Sequence, residues 1–355
     1  TAHSDLPETQ MFIGLRDAGV HLEVMCPGDA PHRQKLVDAG VEVHALQLSG
    51  RLDKAGTAEI RRRLVEGHFD ILHAFNNKAV ANGLRASKGL PVRFIAYRGI
   101  EANVSVFDPA SWTTYLHPRV DKIICVADAI RRYLVNMKFL RWRFPPDKAI
   151  TIYKGHDLGW YRAPAVERSQ LGLPDDAFVV GCTANERPRK GLPYLIDAAK
   201  LLPDDANIHF LLIGNIDGKK TMQSIAASPA RDRIHLTGFR GDAPQVLAAC
   251  DACILPALKR EGLPKAIIEG MVHGVTPIVN NSGGSPELIE QGTSGLIIEP
   301  GSSPAIADAI SQLYSDRNNC RRMGEEARQR IQRDFHTSET VKQTLSVYQE
   351  LLGKV

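Results

Sequence analysis

Short apolar runs alternate with amphipathic stretches along most of this chain, and the alternation predicts strand after helix after strand. A helix is expected over about 7–18, with Met11, Ile13, Leu15 and Ala18 as its apolar positions and Gly19 at its end, then a strand over 21–25. The pattern continues through a helix around 32–39, a strand over 41–46, a helix around 55–66 and strands over 69–74 and 92–97. Residues 101–117 read as a loop and short helix. A strand over 121–126 leads into a helix over 128–135, where Ile130, Tyr133, Leu134 and Met137 fall at helical spacing and should face a core. Repetition of this kind builds a parallel sheet, because parallel neighbours need a crossover between them.

A second series follows. Strands are expected over 149–153, 178–183, 208–214, 234–236, 252–255, 276–280 and 294–298, with helices over 304–314 and 319–333. A last helix carries Val341, Leu345, Tyr348 and Leu352 on one face. At 355 residues the chain is long for one core and comfortable for two. The expected division is an N-terminal doubly wound domain over 1–160, a C-terminal one over 161–335, and a helix over 336–355 that crosses back to the first domain. A doubly wound domain ordinarily begins with a strand ending in a loop such as residues 1–8, so the opening strand of the first domain is expected to be missing from the sequence as given.

Composition adds few constraints. Apolar residues at 43% with 24% charged are ordinary for a soluble chain, and no apolar run is long enough to span a bilayer. No basic, apolar, small-residue signal pattern opens the sequence as given, and the six cysteines are scattered without a disulfide framework, so the cytoplasm is the expected compartment. Cys250 and Cys253 read as buried thiols rather than a redox or metal pair. Lys and Arg outnumber Asp and Glu by six over residues 1–165 and fall two short over the rest, which suits an anionic surface or substrate for the first half. With no basic-aromatic repeat or zinc-finger spacing, nucleic acid is not an expected partner. Arg131, Arg132, Lys138, Arg141 and Arg143, next to Trp142 and Phe144, would suit peripheral contact with an anionic membrane through 131–144, on the inner face of the cytoplasmic membrane.

The richest chemistry lies between Leu255 and Glu290. The apolar strand 252–255 opens into a polar loop carrying Glu261. Pro264 suits a first helical position, and the helix that follows carries Glu269 and closes at Gly274. Unpaired N–H groups at that start, helped by the small Gly262, favour a polyhydroxyl or anionic ligand held against backbone.

Two glutamates seven residues apart, with Gly262-Leu263-Pro264 after the first and a Gly283-Gly284 turn after the next strand, resemble the signature of retaining, GT-B fold glycosyltransferases of family 4. That resemblance implies an α/β chain of two Rossmann-like domains facing across a cleft, the second binding a nucleoside diphosphate sugar and the first a glycan or lipid-linked acceptor. It makes Glu261 the group that orients the donor sugar, Glu269 the ribose partner, and Leu263 to Lys265 the backbone donors to the sugar. Gly283 and Gly284 would let backbone approach the diphosphate. The loop Ala184 to Gly191 is similar to the family's Gly-Arg-x-x-Pro-x-Lys-Gly, which gives Lys190 the diphosphate. The family's arginine position carries Asn185, with Arg187 the preferred substitute over Arg189. Arg240 would contact the base.

In the first half, Asp70-Ile-Leu-His73 resembles a family strand end facing the cleft, with Asn76, Asn77 and Lys78 beside it as acceptor contacts. Arg98 stands where many members carry a histidine. It cannot act as a base but can neutralise a phosphate or carboxylate. Of the family's Gly-Gly-Ala-Glu turn only Glu8 is present. His73, Arg98 and Glu261 are thus the catalytic candidates. No Asp-x-Asp pair stands in a metal-binding context, so the resemblance implies transfer without metal or cofactor, in cell-envelope polysaccharide or lipopolysaccharide synthesis. The readings held against it are a nucleotide-sugar 2-epimerase and a catalytically silent nucleotide-sugar-binding partner.

Overall fold

The structure, a computed structural model, describes residue 1 and residues 5–353, so Ala2, His3 and Ser4 of the opening loop lie outside it. The chain forms two compact units, one of residues 1–155 with 335–355 and the other of His156–Asp334.

In the first unit the elements run α1 (Leu6–Asp17), β1 (Glu23–Cys26), α2 (Arg33–Asp38), β2 (Glu42–Ala45), α3 (Lys54–Glu66), β3 (Ile71–Ala74), α4 (Asn77–Ala86), β4 (Arg93–Arg98), α5 (Pro109–Trp112), β5 (Lys122–Cys125), α6 (Asp128–Val135), β6 (Lys138–Phe139), β7 (Trp142–Arg143) and β8 (Ala149–Thr151). All strand pairs except β6–β7 are parallel. Local chemistry starts the helices: Asp5 caps α1 by accepting from Glu8 N, Asp53 caps α3, and Asn76 caps α4. Helix α4 was not read from the sequence, although Asn76 followed by Val80, Ala81 and Leu84 carries its cap and its buried face. Nor was the β6–β7 hairpin, whose strands are only two residues each.

The strands of this unit form two separate parallel sheets, β1-β2 and β3-β4-β5-β8. A cavity of about 1200 Å³ is lined by Val24 and Met25 of β1 and by Ile71, Leu72 and His73 of β3. Two open strand edges therefore border one apolar space.

The second unit contains β9 (Phe178–Thr183), α7 (Leu192–Ala199), β10 (Ile208–Ile213), α8 (Lys219–Ala226), β11 (Ile234–Gly238), α9 (Ala243–Leu247), β12 (Ala252–Leu255), α10 (Lys265–Val272), β13 (Thr276–Asn280), β14 (Leu296–Ile298), α11 (Ser303–Ser315) and α12 (Arg317–Asp334). Its six strands form one parallel sheet in the order β11-β10-β9-β12-β13-β14. Both faces are covered, which explains why β9, β12 and β13 read as continuous apolar runs rather than alternating ones. Phe178 and Phe210 are fully buried there, each contributing roughly 1.5–3 kcal/mol by leaving water.

The chain then returns to the first unit as α13 (Thr337–Leu351). Val341, Leu345 and Tyr348 pack on the cluster built from Met11, Phe12 and Leu15 of α1. Among the described residues no helix is long and apolar enough to cross a membrane.

Candidate functional site

In an open doubly wound sheet, strand order reverses at one point, and the loops leaving the two strands there splay apart to make a ligand crevice. In the second unit that point lies between β9 and β12. The loop after β9 is residues 184–191 and the loop after β12 is residues 256–264, the two stretches singled out in the sequence.

The two loops are fastened together. Leu258 N donates to Arg189 O at 2.8 Å. Gly191 has φ +71°, and a Cβ there would lie 1.9 Å from Pro256 O, so a side chain is excluded. Lys190 Nζ and Arg189 Nη1 both donate to Glu261 Oε1, at 2.9 and 2.6 Å. Arg187 is exposed, so the arginine that reaches Glu261 is Arg189. Asn185 is exposed, and Glu186 turns away to accept from Gly218 N and, at 2.6 Å, from Thr221 Oγ1, which anchors the start of α8.

Glu261 is 8% exposed and follows Arg260, whose φ of +68° is costly for a residue with a side chain. The Gly283-Gly284 turn packs against its backbone. Gly284 N donates to Glu261 O at 3.2 Å, and a Cβ on Gly283, where φ is +57°, would meet that oxygen at 2.3 Å. Glycine is therefore required at 283 by the close approach of the β13 turn to the Glu261 peptide. Gly262 is buried, and Leu263 and Pro264 lead into α10. Pro264 sits one position before the first helical residue rather than on it. Glu269 is buried with Lys265 Nζ 3.0 Å from its carboxylate; burial raises its pKa, with Lys265 acting against the rise. Arg240 is tied to Asp242 by two 2.7 Å hydrogen bonds, and its neighbour Phe239 is three-quarters exposed.

The structure thus brings Lys190, Glu261, Gly262, Gly283 and Gly284 together and adds Arg189. The sequence preferred Arg187, whereas the tight turn over Pro188–Lys190 brings Arg189 to Glu261.

In the first unit, Arg98 ends β4 and is 4% exposed. Its Nη1 donates to Asn77 Oδ1 at 3.2 Å, and its guanidinium lies 4.7 Å from the centre of the Tyr115 ring. Tyr115 Oη also donates to Asn77 Oδ1, at 2.9 Å. His73 lies on the other face of that sheet. It pairs in register with Ile95, packs on Phe75, and holds Tyr348 Oη 2.9 Å from its Nδ1. Desolvation pushes its pKa down to about 3, leaving a neutral ring. His73 and Arg98 therefore do not converge. Asn76 is occupied as the α4 cap, while Asn77 and Lys78 are exposed at the start of that helix. Trp112 packs edge-on to Trp142 and donates to Val106 O, a structural use.

Among the described residues one cluster has metal-ligating types in reach of each other, Glu23, Glu42 and His44. Arg63 already lies on it, with Nη2 2.5 Å from Glu23 and 2.9 Å from Glu42. Cys250 and Cys253 are buried free thiols with raised pKa values, as their positions beside and within β12 require.

Two family models match the chain consecutively, Glycosyltransferase Family 4 over residues 10–160 and Glycosyl transferases group 1 over 165–330. The putative glycosyltransferase EpsD of Bacillus subtilis (strain 168) is 29% identical over 183 residues, 51% of this chain and 48% of that one. The Escherichia coli UDP-Gal:alpha-D-GlcNAc-diphosphoundecaprenol alpha-1,3-galactosyltransferase is 26% identical over 76% of this chain and 74% of its own. The match thus spans about half the length of the first of these relatives. Anabaena Alr3699/HepE, solved in complex with UDP, superposes with a TM-score of 0.81 at 21% identity, over 99% of this chain and 98% of its own, which establishes the GT-B fold. The chain belongs to the family 4, group 1 glycosyltransferases.

Proposed function

We propose that this protein moves a sugar from a nucleoside diphosphate sugar to a hydroxyl of a glycan or lipid-linked acceptor, with retention of anomeric configuration and without a metal ion, in cell-envelope polysaccharide or lipopolysaccharide assembly. The observation that carries this reading is the convergence of Lys190 and Arg189 on Glu261 at the strand-order reversal of the second unit. Two fixed cations beside the first turn of α10 suit a diphosphate leaving group, since charge-assisted donors placed in advance stabilise the charge that develops as it departs. A donor entering there would take over the cations and free the Glu261 carboxylate to accept from sugar hydroxyls. Glu269 would hold the ribose and Arg240 the base. The bond from the anomeric carbon to the phosphate oxygen breaks, the acceptor oxygen attaches on the same face, and the departing phosphate takes the acceptor's proton. Arg98, Asn77 and Lys78 would serve the acceptor.

Two relatives support this setting. One acts on a diphosphoundecaprenol-linked sugar, and another, from Rhizobium meliloti (strain 1021), is a lipopolysaccharide core biosynthesis glycosyltransferase. A cytoplasmic protein working on such an acceptor needs a membrane contact, and the β6–β7 hairpin suits it. Leu140 at its tip is 90% exposed and Phe107 beside Phe139 is 78% exposed, with Lys138, Arg141 and Arg143 exposed around them.

The test is product analysis by mass spectrometry, with UDP-, GDP- and ADP-sugars offered with and without a polyprenyl-diphosphate-sugar acceptor. A new glycoside that appears only with acceptor, and not with the Glu261→Ala variant, supports the reading. A changed free nucleotide sugar without acceptor would instead make the protein an epimerase.

A further inference from the structure

A guanidinium stays charged at any pH a protein meets, so burying one without a counter-charge is expensive and calls for an explanation. Arg98 is such a group. Its side-chain contacts are the Asn77 amide oxygen and the Tyr115 ring, neither of which carries a charge to match it. Its Nη2 is buried with no hydrogen-bond partner among the described residues. No carboxylate forms an ion pair with Arg98 among the described residues, whereas other arginines of the same unit have one: Arg62 with Glu59, Arg63 with Glu23, Arg93 with Asp121, and Arg131 with Asp128.

Arg98 shares a wall of the cavity with Asn76, Asn77, Lys78 and Tyr115. That wall includes the start of the ten-residue helix α4. Ala79 N and Val80 N are bonded back to Asn76, whereas the N–H groups of Asn77 and Lys78 precede the first intrahelical bonds. Lys78, also exposed at this start, donates from Nζ to Leu48 O at 3.0 Å. A buried guanidinium with a spare donor and the helix start it reaches through Asn77 thus lie together on the cavity lining, both favouring negative charge.

We infer that the end of β4 and the start of α4 form an oxyanion subsite that takes a carboxylate or phosphate carried by the acceptor, with Nη2 of Arg98 as its principal donor. The proposal rests on the glycosyltransferase reading for the word acceptor, while the subsite itself rests on Arg98 alone. It makes the acceptor anionic near the hydroxyl that reacts. Arg98 then selects the acceptor, where a histidine at this position could not hold a permanent charge.

The experiment measures binding, so it does not depend on transfer. Wild type, Arg98→Gln and Arg98→Lys are titrated with two matched pairs of probes, D-glucuronate against D-glucose and glycerol phosphate against glycerol, followed by chemical-shift perturbation and thermal shift. The expected result is that an anionic member of a pair binds and its neutral partner does not, with affinity lost by about tenfold or more in Arg98→Gln and partly kept in Arg98→Lys. Whichever anion binds tells a uronate-type carboxylate from a phosphate. Arg98→Gln should also leave the melting temperature of the free protein unchanged or raised, because it removes an uncompensated buried charge. Equal behaviour of charged and neutral probes, or a melting temperature in the free variant that falls while anion response persists, would overturn the subsite. Nucleoside diphosphate binding, measured in the same variants, should stay at the wild-type level. Its absence from all of them would mean that the donor reading, not the oxyanion subsite, had failed.

Discussion

Lys190 and Glu261, seventy-one positions apart, meet side chain to side chain, Nζ to Oε1 at 2.9 Å, where the loops after β9 and β12 come together. In the free protein each is the other's counter-ion, joined by Arg189. Replacing Lys190 by Ala leaves one cation for the diphosphate. Charge-assisted bonds of this kind are worth roughly 1.5–3 kcal/mol, so nucleoside diphosphate affinity should fall by about ten- to a hundredfold, as fluorescence titration would show. Glu261→Ala should leave nucleoside diphosphate binding within a few-fold of wild type and abolish sugar transfer, since it frees both cations.

Gly283 supports the same carboxylate from behind. Gly283→Ala forces a Cβ onto Glu261 O and imposes the φ of +57° on a residue with a side chain, at a cost of about 1–3 kcal/mol. The expected outcome is a large loss of transfer with circular dichroism unchanged. Full activity in this variant would mean that the Glu261 loop position is not critical.

His73 sets a pH dependence. Its pKa in the folded protein is about 3, below the ordinary value of 6.5. The unfolded chain therefore takes up a proton on this ring as pH falls from about 6.5, and the folded chain does not until pH nears 3, so stability is lost across that window. Glu8 works oppositely. Burial raises its pKa to about 7, so its contribution is lost as pH rises between about 4.5 and 7. The difference between wild type and His73→Gln isolates the histidine: the variant should lose less stability than wild type from pH 7 to pH 5 in urea unfolding. Parallel curves for the two proteins would show that the ring is not desolvated.

The hairpin makes a membrane prediction. Leu140→Asp removes the exposed apolar tip, and an Arg141→Glu, Arg143→Glu double variant reverses part of the surrounding charge. Wild type should sediment with vesicles containing phosphatidylglycerol and remain in solution with phosphatidylcholine alone, and both variants should bind the anionic vesicles far less. Equal binding to the two kinds of vesicle would count against electrostatic attraction.

The opening strand expected from the sequence would occupy the cavity lined by β1 and β3, where Thr1 N donates to Met25 O at 2.7 Å. Extending the chain ahead of Thr1 with a short β-branched apolar segment should raise the melting temperature and suppress binding of a hydrophobic dye. A polar segment of equal length should do neither. If both extensions behave alike, the cavity does not take a strand.

Much of the fold was legible because its signals are local. The order of βα units, the strands over 178–183 and 252–255, and the glutamate spacing from Glu261 to Glu269 all sit in short windows where period and end signals agree. What escaped depends on partners far along the chain. That Arg98 packs on the neutral Asn77 and Tyr115 depends on residues far from it in sequence, and that His73 faces away from it follows from the register of β3 on β4. Arg189 rather than Arg187 reaches Glu261, at a tight turn over Pro188–Lys190. The hairpin over 138–143 is too short to show a period, and the Glu261 carbonyl behind Gly283 is a further constraint on that glycine that only the fold reveals.

The central claim is that the second unit binds the nucleoside diphosphate of a sugar donor through Lys190. Isothermal titration of UDP, GDP and ADP, and of their common sugar derivatives, into wild type and Lys190→Ala tests it most directly. One base should bind well above the others in wild type, with that affinity falling by about ten- to a hundredfold in the variant. A well-folded wild type that binds none of them, or a variant that binds as tightly as wild type, would contradict it.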